Sequence, residues 1–162
     1  MTTVTATVRR AVNAIIGKGD GGNLRAVGAR TIELAASASG TIIDFKLRIP
    51  SNARIDPSSR AYWDDLATSG SPTLDIGLYA VDSNVTSDDD ALTDGLAISS
   101  VSTANVGAQV IKDFANAGKQ AWEFVSGVTS DPGGFLDVKG IVRDAATNAA
   151  GTITLDMKIY QD

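Results

Sequence analysis

The sequence predicts an all-β protein of antiparallel sheets, arranged as a sandwich or a barrel. Apolar and polar residues alternate with a period of two through most of the chain after residue 29, as expected of strands with one buried face. Clusters of Gly, Asp, Asn, Ser and Pro, which are typical turn residues, separate these runs. No amphipathic pattern exceeds two helical turns. The spacing of the runs predicts about eight or nine strands.

The first two predicted strands are "RTIELAA" at residues 30–36 and "GTIIDFKLRIP" at residues 40–50. The second has one apolar face and one charged face, so we expect it to lie between a core and solvent. It ends at Pro50, because proline cannot donate to a strand ladder. The apolar face consists of Ile43, Phe45, Leu47 and Ile49, and the charged face of Asp44, Lys46 and Arg48.

The middle of the chain contains two predicted strands followed by an acidic run. "RAYWDDLA" at residues 60–67 is the first strand, and residues 73–81 form the second, in which Leu74, Ile76 and Leu78 alternate with polar residues. The acidic run "SNVTSDDDALTDG" follows at residues 83–95. We predict a solvated loop there, because Asp and Asn side chains hydrogen-bond their own backbone in turns.

The last third of the chain is predicted to contain five further strands. Those at 108–115 and 120–127 are expected to pair around "NAGK", and the final two are expected to be joined by "AATNAA". In the final strand, four apolar residues alternate with polar ones, namely Ile153, Leu155, Met157 and Ile159. The five predicted ranges are 95–102, 108–115, 120–127, 134–144 and 151–162.

Residues 1–29 differ from the rest and are predicted to be a flexible basic arm ahead of a β domain at residues 30–162. The segment "GKGDGGN" at 17–23 is too rich in glycine for regular structure. Charge is also unevenly distributed, since residues 1–50 carry a net charge of +4 and the remainder −9. Two interpretations follow: the arm docks on a negatively charged partner, or it folds back onto its own acidic body.

Composition excludes several kinds of chemistry. The chain of 162 residues has no cysteine and no histidine, which excludes disulfides, thiolate or imidazole metal sites, and Ser-His-Asp or Cys-His catalysis. We therefore expect no enzyme, no cofactor and no catalytic residues. An isoelectric point near 4.6 argues against a nucleic-acid partner. Neither a membrane-spanning run nor a secretory signal is recognisable, so we expect a soluble protein made in the cytoplasm.

The acidic run invites comparison with a calcium loop. Oxygen-bearing side chains stand at every second position, as at the start of an EF-hand, whose pattern then needs Gly at its sixth position and Glu at its twelfth. Ser87 and Thr93 occupy those two positions. No metal-ligating residue is therefore assigned, although a looser calcium site stays open as an alternative. The oxygen-bearing positions are Asp82, Asn84, Thr86, Asp88 and Asp90.

Between residues 40 and 160 the chain resembles small structural proteins of tailed bacteriophages, namely capsid decoration or cement proteins. The resemblance implies an antiparallel β-sandwich, jelly-roll-like, with the extended N-terminal arm outside it. It defines no motif from which functional residues could be transferred. The stretches that carry it are "RIPSNARI" (48–55), "WDDLATSGSPTLDIGLYAVD" (63–82), "DDDALTDGL" (88–96) and "GKQAWEFVSGVTSDPGGFLDVKGIVRDAATNAAGTITLD" (118–156).

The function implied by the resemblance is binding to the outer surface of a phage head, which the protein stabilises. The expected partners are the major capsid protein and further copies of the chain, as a dimer or trimer, without nucleic acid or membrane. The expected location is the capsid surface, after synthesis in the host cytoplasm. Two alternatives stay open: another virion component, such as a tail, fibre or receptor-binding module, or a calcium-dependent carbohydrate-binding module.

The N-terminal arm is the predicted capsid contact. It combines basic residues with a short apolar pair, and a flexible segment that orders on docking can reach a neighbouring subunit. The predicted contact residues are Arg9, Arg10, Ile15, Ile16 and Lys18.

Overall fold

Two β-sheets form the fold. The computed structural model describes residues 3–5, 23–81, 87–102, 108–110 and 114–161. Two short 3-10 helices in this part of the chain, Phe114–Asn116 and Ala121–Phe124, lie between β8 and β9. The strands are β1 (Thr3–Thr5), β2 (Asn23–Leu34), β3 (Ile42–Pro50), β4 (Arg54–Ile55), β5 (Arg60–Trp63), β6 (Thr73–Ala80), β7 (Asp88–Ala97), β8 (Ala108–Gln109), β9 (Phe135–Arg143) and β10 (Gly151–Gln161).

The pairing of the strands defines a sandwich. Sheet A has the order β1-β3-β9-β6-β7, and sheet B has the order β2-β10-β5-β8, with the short β4 also paired to β10. The pairs are antiparallel except for β1 and β3, which run parallel. Buried side chains from both sheets form one hydrophobic cluster. The predicted all-β fold with antiparallel sheets is confirmed, and it is a sandwich.

Strands β3 and β10 supply opposite walls of the core. The apolar face predicted for β3 is completely buried, with each of its four side chains at most 1% exposed. In β10, every second residue from Ile153 to Ile159 is buried in the same cluster. Burying a side chain of this size stabilises a fold by about 1.5–3 kcal/mol. The period of two therefore marks the core correctly in both sheets.

The chain crosses between the sheets at most of its connections. Strands β6 and β7 form a hairpin within sheet A, whereas β2 and β3, β5 and β6, and β9 and β10 lie in different sheets. The predicted last two strands are thus both present, but they are not neighbours. The β2–β3 connection is joined to the β9–β10 connection by reciprocal backbone hydrogen bonds between Ser37 and Thr147, with N–O distances of 3.0 and 2.9 Å.

The structure extends the β domain into the segment predicted as an arm. Strand β2 begins at Asn23, seven residues earlier than the predicted start at residue 30, and Thr3–Thr5 pair with β3. Within β2, Gly28 adopts a positive φ of 93° beside a bulge. A glycine at a bulge bends a strand without ending it. Residues 6–22 lie outside the described residues.

The described part of the acidic run is a strand from Asp88 onward, which differs from the predicted solvated loop. Asp88–Ala97 form β7, which pairs with β6. Asp and Gly have low strand propensity, but Leu92 and Leu96 are buried in the core and outweigh it. The weak strand predicted at 95–102 consequently overlaps β7 only at its first three residues. Residues 82–86 lie outside the described part.

The strand pair predicted at 108–115 and 120–127 is wrong. Strand β8 comprises only Ala108 and Gln109 and pairs with β5, and Ala121–Phe124 form a 3-10 helix. The carboxylate of Glu123 accepts a hydrogen bond from the backbone N–H of Gln120 at 2.6 Å. Such a bond satisfies a free N–H at a helix start. The strand predicted at 60–67 is confirmed only to Trp63.

Candidate assembly surfaces

A cluster of four polar side chains lies on the outer face of sheet A. It consists of Asp75, Tyr79, Asp89 and Arg143 and is called the Asp75 network here. Asp75 is only 6% exposed, and its carboxylate accepts hydrogen bonds from Arg143 Nε and from the backbone N–H of Gly95, both at 2.9 Å. A carboxylate at this depth needs such partners, because an unpaired buried charge is strongly destabilising.

Asp89 joins the two halves of the Asp75 network. Its carboxylate accepts one hydrogen bond from Arg143 Nη2 at 3.0 Å and another from the Tyr79 hydroxyl at 2.6 Å. The hydrogen bond to Asp75 raises the pKa of Arg143. Burial, followed by the bond to Asp89, raises the pKa of the Tyr79 phenol well above its usual value. Both shifts favour the protonated forms, which these two groups already have at neutral pH when free.

The position of Asp89 depends on an irregular stretch of β7. Between the pairs Ile76–Thr93 and Leu78–Asp88, β6 contributes one residue and β7 contributes four. The extra residues bulge over Gly77, where a Cβ would lie 2.2 Å from the carbonyl oxygen of Asp88. Glycine is required at residue 77 because the bulge occupies the space of a side chain. The bulge in turn carries Asp89 to Tyr79 and Arg143.

Further ion pairs continue across sheet A. Arg48 Nε donates to Asp137 at 2.8 Å, and Lys46 pairs with Asp44. The ammonium group of Lys139 lies 4.9 Å from the centre of the Tyr79 ring, within cation–π range. In the described ranges, no group of three or more His, Cys, Asp or Glu side chains could hold a metal ion. Several described charges on the outer face of sheet A are thus paired within the protein.

The outer face of sheet B has a shallow cavity of about 300 Å³ beside the end of β5. Asp64 accepts hydrogen bonds from the backbone N–H and the hydroxyl of Thr152, at 2.7 and 2.8 Å. These bonds lower the pKa of Asp64. Val101 is 63% exposed at the rim, and the indole of Trp63 donates to the carbonyl of Ser100 at 2.8 Å. Trp63 is thus a structural anchor of the cavity wall.

Strand β2 presents a different kind of surface. It ends sheet B, and no strand in the described ranges pairs with its outer edge. The side chain of Arg30 lies here, and its Nε and Nη1 atoms are buried without a hydrogen-bond partner. Arg30 is not among the site residues predicted from the sequence. The signal was present, because Arg30 shares its strand face with Ile32 and Leu34.

The residues predicted to contact a capsid lie outside the described residues. Arg9, Arg10, Ile15, Ile16 and Lys18 all belong to the segment 6–22. Their role stays a prediction.

The positions considered for calcium are divided between described and undescribed parts of the chain. Asp82, Asn84 and Thr86 lie outside the described ranges, whereas Asp88 and Asp90 lie in β7. The carboxylate of Asp88 accepts a bond from the backbone N–H of Ser126 at 2.7 Å. Hydrogen bonding to Asp88 raises the pKa of Asp90. These contacts are internal to the protein.

Comparison with known proteins gives one informative similarity of fold. The chain is similar to a chain in the solved structure described as the capsid of Ralstonia phage GP4, with a TM-score of 0.61 and 20% sequence identity. The alignment covers 99% of this chain and 99% of that chain. No protein-family model matches the sequence, and no curated protein matches it significantly. At this identity the similarity establishes a shared fold over the whole chain.

Proposed function

We propose that this chain is a capsid decoration protein, which binds the outer surface of a phage head and stabilises it. The observation that carries the proposal is the similarity to a phage capsid chain over 99% of both chains. Because the alignment spans both chains almost completely, it relates the entire fold to a chain of a capsid and not to a shared subdomain. The quoted sequence stretches between residues 48 and 156 support the same role independently.

The surface of sheet A suits a protein whose role is structural. Its ionisable side chains pair with one another, as in the Asp75 network and the Arg48–Asp137 pair. Such pairing gives rigidity without leaving a reactive group exposed. We accordingly propose that the chain is not an enzyme and requires no cofactor. No helix in the described part is long and apolar enough to cross a membrane.

Because many copies would bind one shell, each copy would need only a modest contact area to stay bound. A standard specific interface buries about 800 Å² on each partner, which is within reach of one sheet edge or one cluster of loops. Many copies on one shell, present as dimers or trimers, would convert such contacts into avidity. The proposed partners are the major capsid protein and further copies of the chain.

Binding to isolated shells tests the proposal. Purified protein is mixed with heads of the parent phage that lack it, and sedimentation and cryo-electron microscopy measure occupancy. We expect density on the outer surface of the head and a higher temperature of shell rupture. Absence of binding, or density along the tail, would contradict the proposal.

The basic arm supplies a second, narrower test. We expect the double variant Arg9→Glu, Arg10→Glu to bind shells weakly and the charge-preserving variant Arg9→Lys, Arg10→Lys to bind normally. Substituting Ile15 and Ile16 with serine tests the apolar part of the arm. These variants leave β1 and β2 intact, so they separate binding from folding. Full occupancy by the charge-reversed variant would show that the arm, including Lys18, is not the contact.

A further inference from the structure

Arg30 projects from β2 toward the inner face of the sandwich. Its register partner in β10 is Leu155, which is 0% exposed, and directly opposed residues of an antiparallel pair point to the same face. Ile32 and Leu34, two and four residues later, point inward as well and are at most 1% exposed. A guanidinium group therefore occupies a position whose neighbours along the strand are core residues.

This guanidinium lacks the partners that such a position requires. Arg30 Nε and Nη1 are the two side-chain nitrogens that are buried without a hydrogen-bond partner in the described structure. Buried arginine is normally paired, because leaving its charge unsatisfied is strongly destabilising. The Asp75 network shows the usual solution, since Arg143 contacts two carboxylates there. Arg30 can thus donate hydrogen bonds to a negative group that the described residues do not supply.

The vacant edge of β2 indicates where that group would enter. A bulge at Val27 and Gly28 bends the strand, so its regular part runs from Ala29 to Leu34. In the described ranges no strand occupies the outer edge of this part. An extended segment that added there would place alternate side chains on the inner face, one of them opposite Arg30.

We propose that the outer edge of β2 binds an extended segment of another capsid polypeptide, which places a carboxylate against Arg30. Apolar side chains two residues before and after that carboxylate would lie on the same face, alongside Ile32. The charge-assisted hydrogen bonds would then satisfy Nε and Nη1. This inference rests on the proposed function for its partner, but the chemistry at the edge can be tested without a shell.

The β2 edge of a second copy does not supply the carboxylate that Arg30 lacks. If two β2 strands paired antiparallel about a two-fold axis normal to the sheet, inner-face residues would meet inner-face residues. Arg30 would then lie opposite another Arg30, Ile32 or Leu34, and none of these carries a negative charge. Glu33 points to the opposite face and is exposed. The β2 edge of a second copy therefore does not supply the carboxylate, and we assign it to a different polypeptide.

A short peptide tests the chemistry directly. The probe is Lys-Val-Thr-Asp-Thr-Val-Lys, which as a strand presents its aspartate and two valines on one face. We expect it to shift the backbone amide resonances of residues 29–34 and the Nε–Hε resonance of Arg30 in the full chain. The asparagine analogue should bind at least about tenfold more weakly, because a charge-assisted bond becomes a neutral one.

Variants of the chain distinguish recognition of the peptide carboxylate from nonspecific peptide binding. In Arg30→Met, which keeps side-chain length without the charge, we expect the preference for the aspartate peptide to disappear. Arg48→Met removes an arginine on the other sheet and should retain the preference. Equal binding of both peptides to the natural chain, or an unchanged preference in Arg30→Met, would overturn the inference. In that case Arg30 would act only as an inward charge that deters strand pairing.

Shell binding separates this inference from the proposed function. If the natural chain decorates shells, Arg30→Met should show occupancy reduced at least about tenfold at limiting concentration, and equal occupancy would overturn the inference while the proposed function stands. If the natural chain fails to bind shells, the proposed function fails, and the two peptides alone decide whether the edge accepts a carboxylate.

Discussion

The Asp75 network and the free edge of β2 use arginine in opposite ways. In the network, Arg143 donates to two carboxylates on one sheet face, at 2.9 and 3.0 Å. At the edge, Arg30 has two buried nitrogens without a partner. Both residues are partly exposed, so burial alone does not explain the contrast. Strands β6 and β7 supply carboxylates to Arg143, whereas no described residue supplies one to Arg30 Nε or Nη1.

This contrast separates a surface that stabilises the fold from a surface available to a partner. Removing one member of a satisfied pair leaves the other charge stranded, and the protein loses stability. Removing a charge that has no partner relieves the fold, and any loss appears only when the partner is present. Stability measurements on the isolated chain therefore distinguish the two regions, beginning with the largest expected effect.

Arg143→Met should destabilise the protein most. The substitution leaves the buried carboxylate of Asp75 with only the N–H of Gly95, and we expect a loss of about 3 kcal/mol in the free energy of unfolding. Urea denaturation at neutral pH measures it. The control is Arg48→Met, whose ion pair is exposed and should contribute less than about 1 kcal/mol. Equal losses in both variants would remove the distinction between network and surface pairs.

Gly77→Ala should disrupt the network through the backbone. A Cβ at residue 77 would meet the carbonyl oxygen of Asp88 at 2.2 Å, so the β7 bulge must move, at a cost of about 2 kcal/mol. Displacing Asp89 also breaks its bond to Tyr79, and the Tyr79 phenol should titrate at lower pH by NMR. Gly140→Ala is the comparison. Its Cβ would meet side-chain atoms, Leu74 Cδ1 at 2.9 Å and Phe45 Cε2 at 3.2 Å, and no backbone atom at comparable distance, so it should be tolerated better.

Arg30→Met should stabilise the isolated chain. Replacing an unsatisfied buried charge by an apolar side chain of similar length is expected to raise the free energy of unfolding by about 1–2 kcal/mol. Thermal and urea unfolding of the two proteins, measured side by side, test this. A destabilised variant would mean that Arg30 already has a partner within the fold, and the contrast with Arg143 would collapse.

The smallest expected effect concerns a satisfied carboxylate in sheet B. Hydrogen bonds from Thr152 lower the pKa of Asp64 below its value in an unfolded chain. The stabilisation is therefore complete above about pH 5 and is lost as the pH falls through the folded pKa. Since Asp64 is exposed, we expect less than about 1 kcal/mol. The natural chain should have a higher free energy of unfolding than Asp64→Asn, and this difference should decrease as the pH falls from about 5 to 2. A difference that does not change with pH would contradict the prediction.

Much of the fold was predictable because alternation reports burial directly. Strands β3, β6, β9 and β10 were predicted near their observed positions, since their apolar residues recur at every second position. Strand β7 was missed because its acidic residues suggest a turn, and only the burial of Leu92 and Leu96 in a core made by other strands overrides that tendency. Local propensity is weak beside such tertiary burial.

The candidate surfaces were less predictable than the strands. The sequence shows that Arg30 lies on the apolar side of a predicted strand, but it does not show that this strand ends a sheet. The Asp75 network joins residues from three strands through a bulge over Gly77. No spacing in the sequence specifies that bulge, because the register of β6 and β7 depends on packing against the rest of the sheet.

The sequence by itself determined the class of secondary structure, the inward residues of the main strands, and the absence of cysteine and histidine chemistry. These follow from composition and from a period of two, which are local properties. The tertiary structure decided which strands are neighbours, which arginine contacts a carboxylate, and which edge has no partner strand among the described residues. Those features depend on contacts between residues far apart in the chain, and only the assembled sandwich creates them.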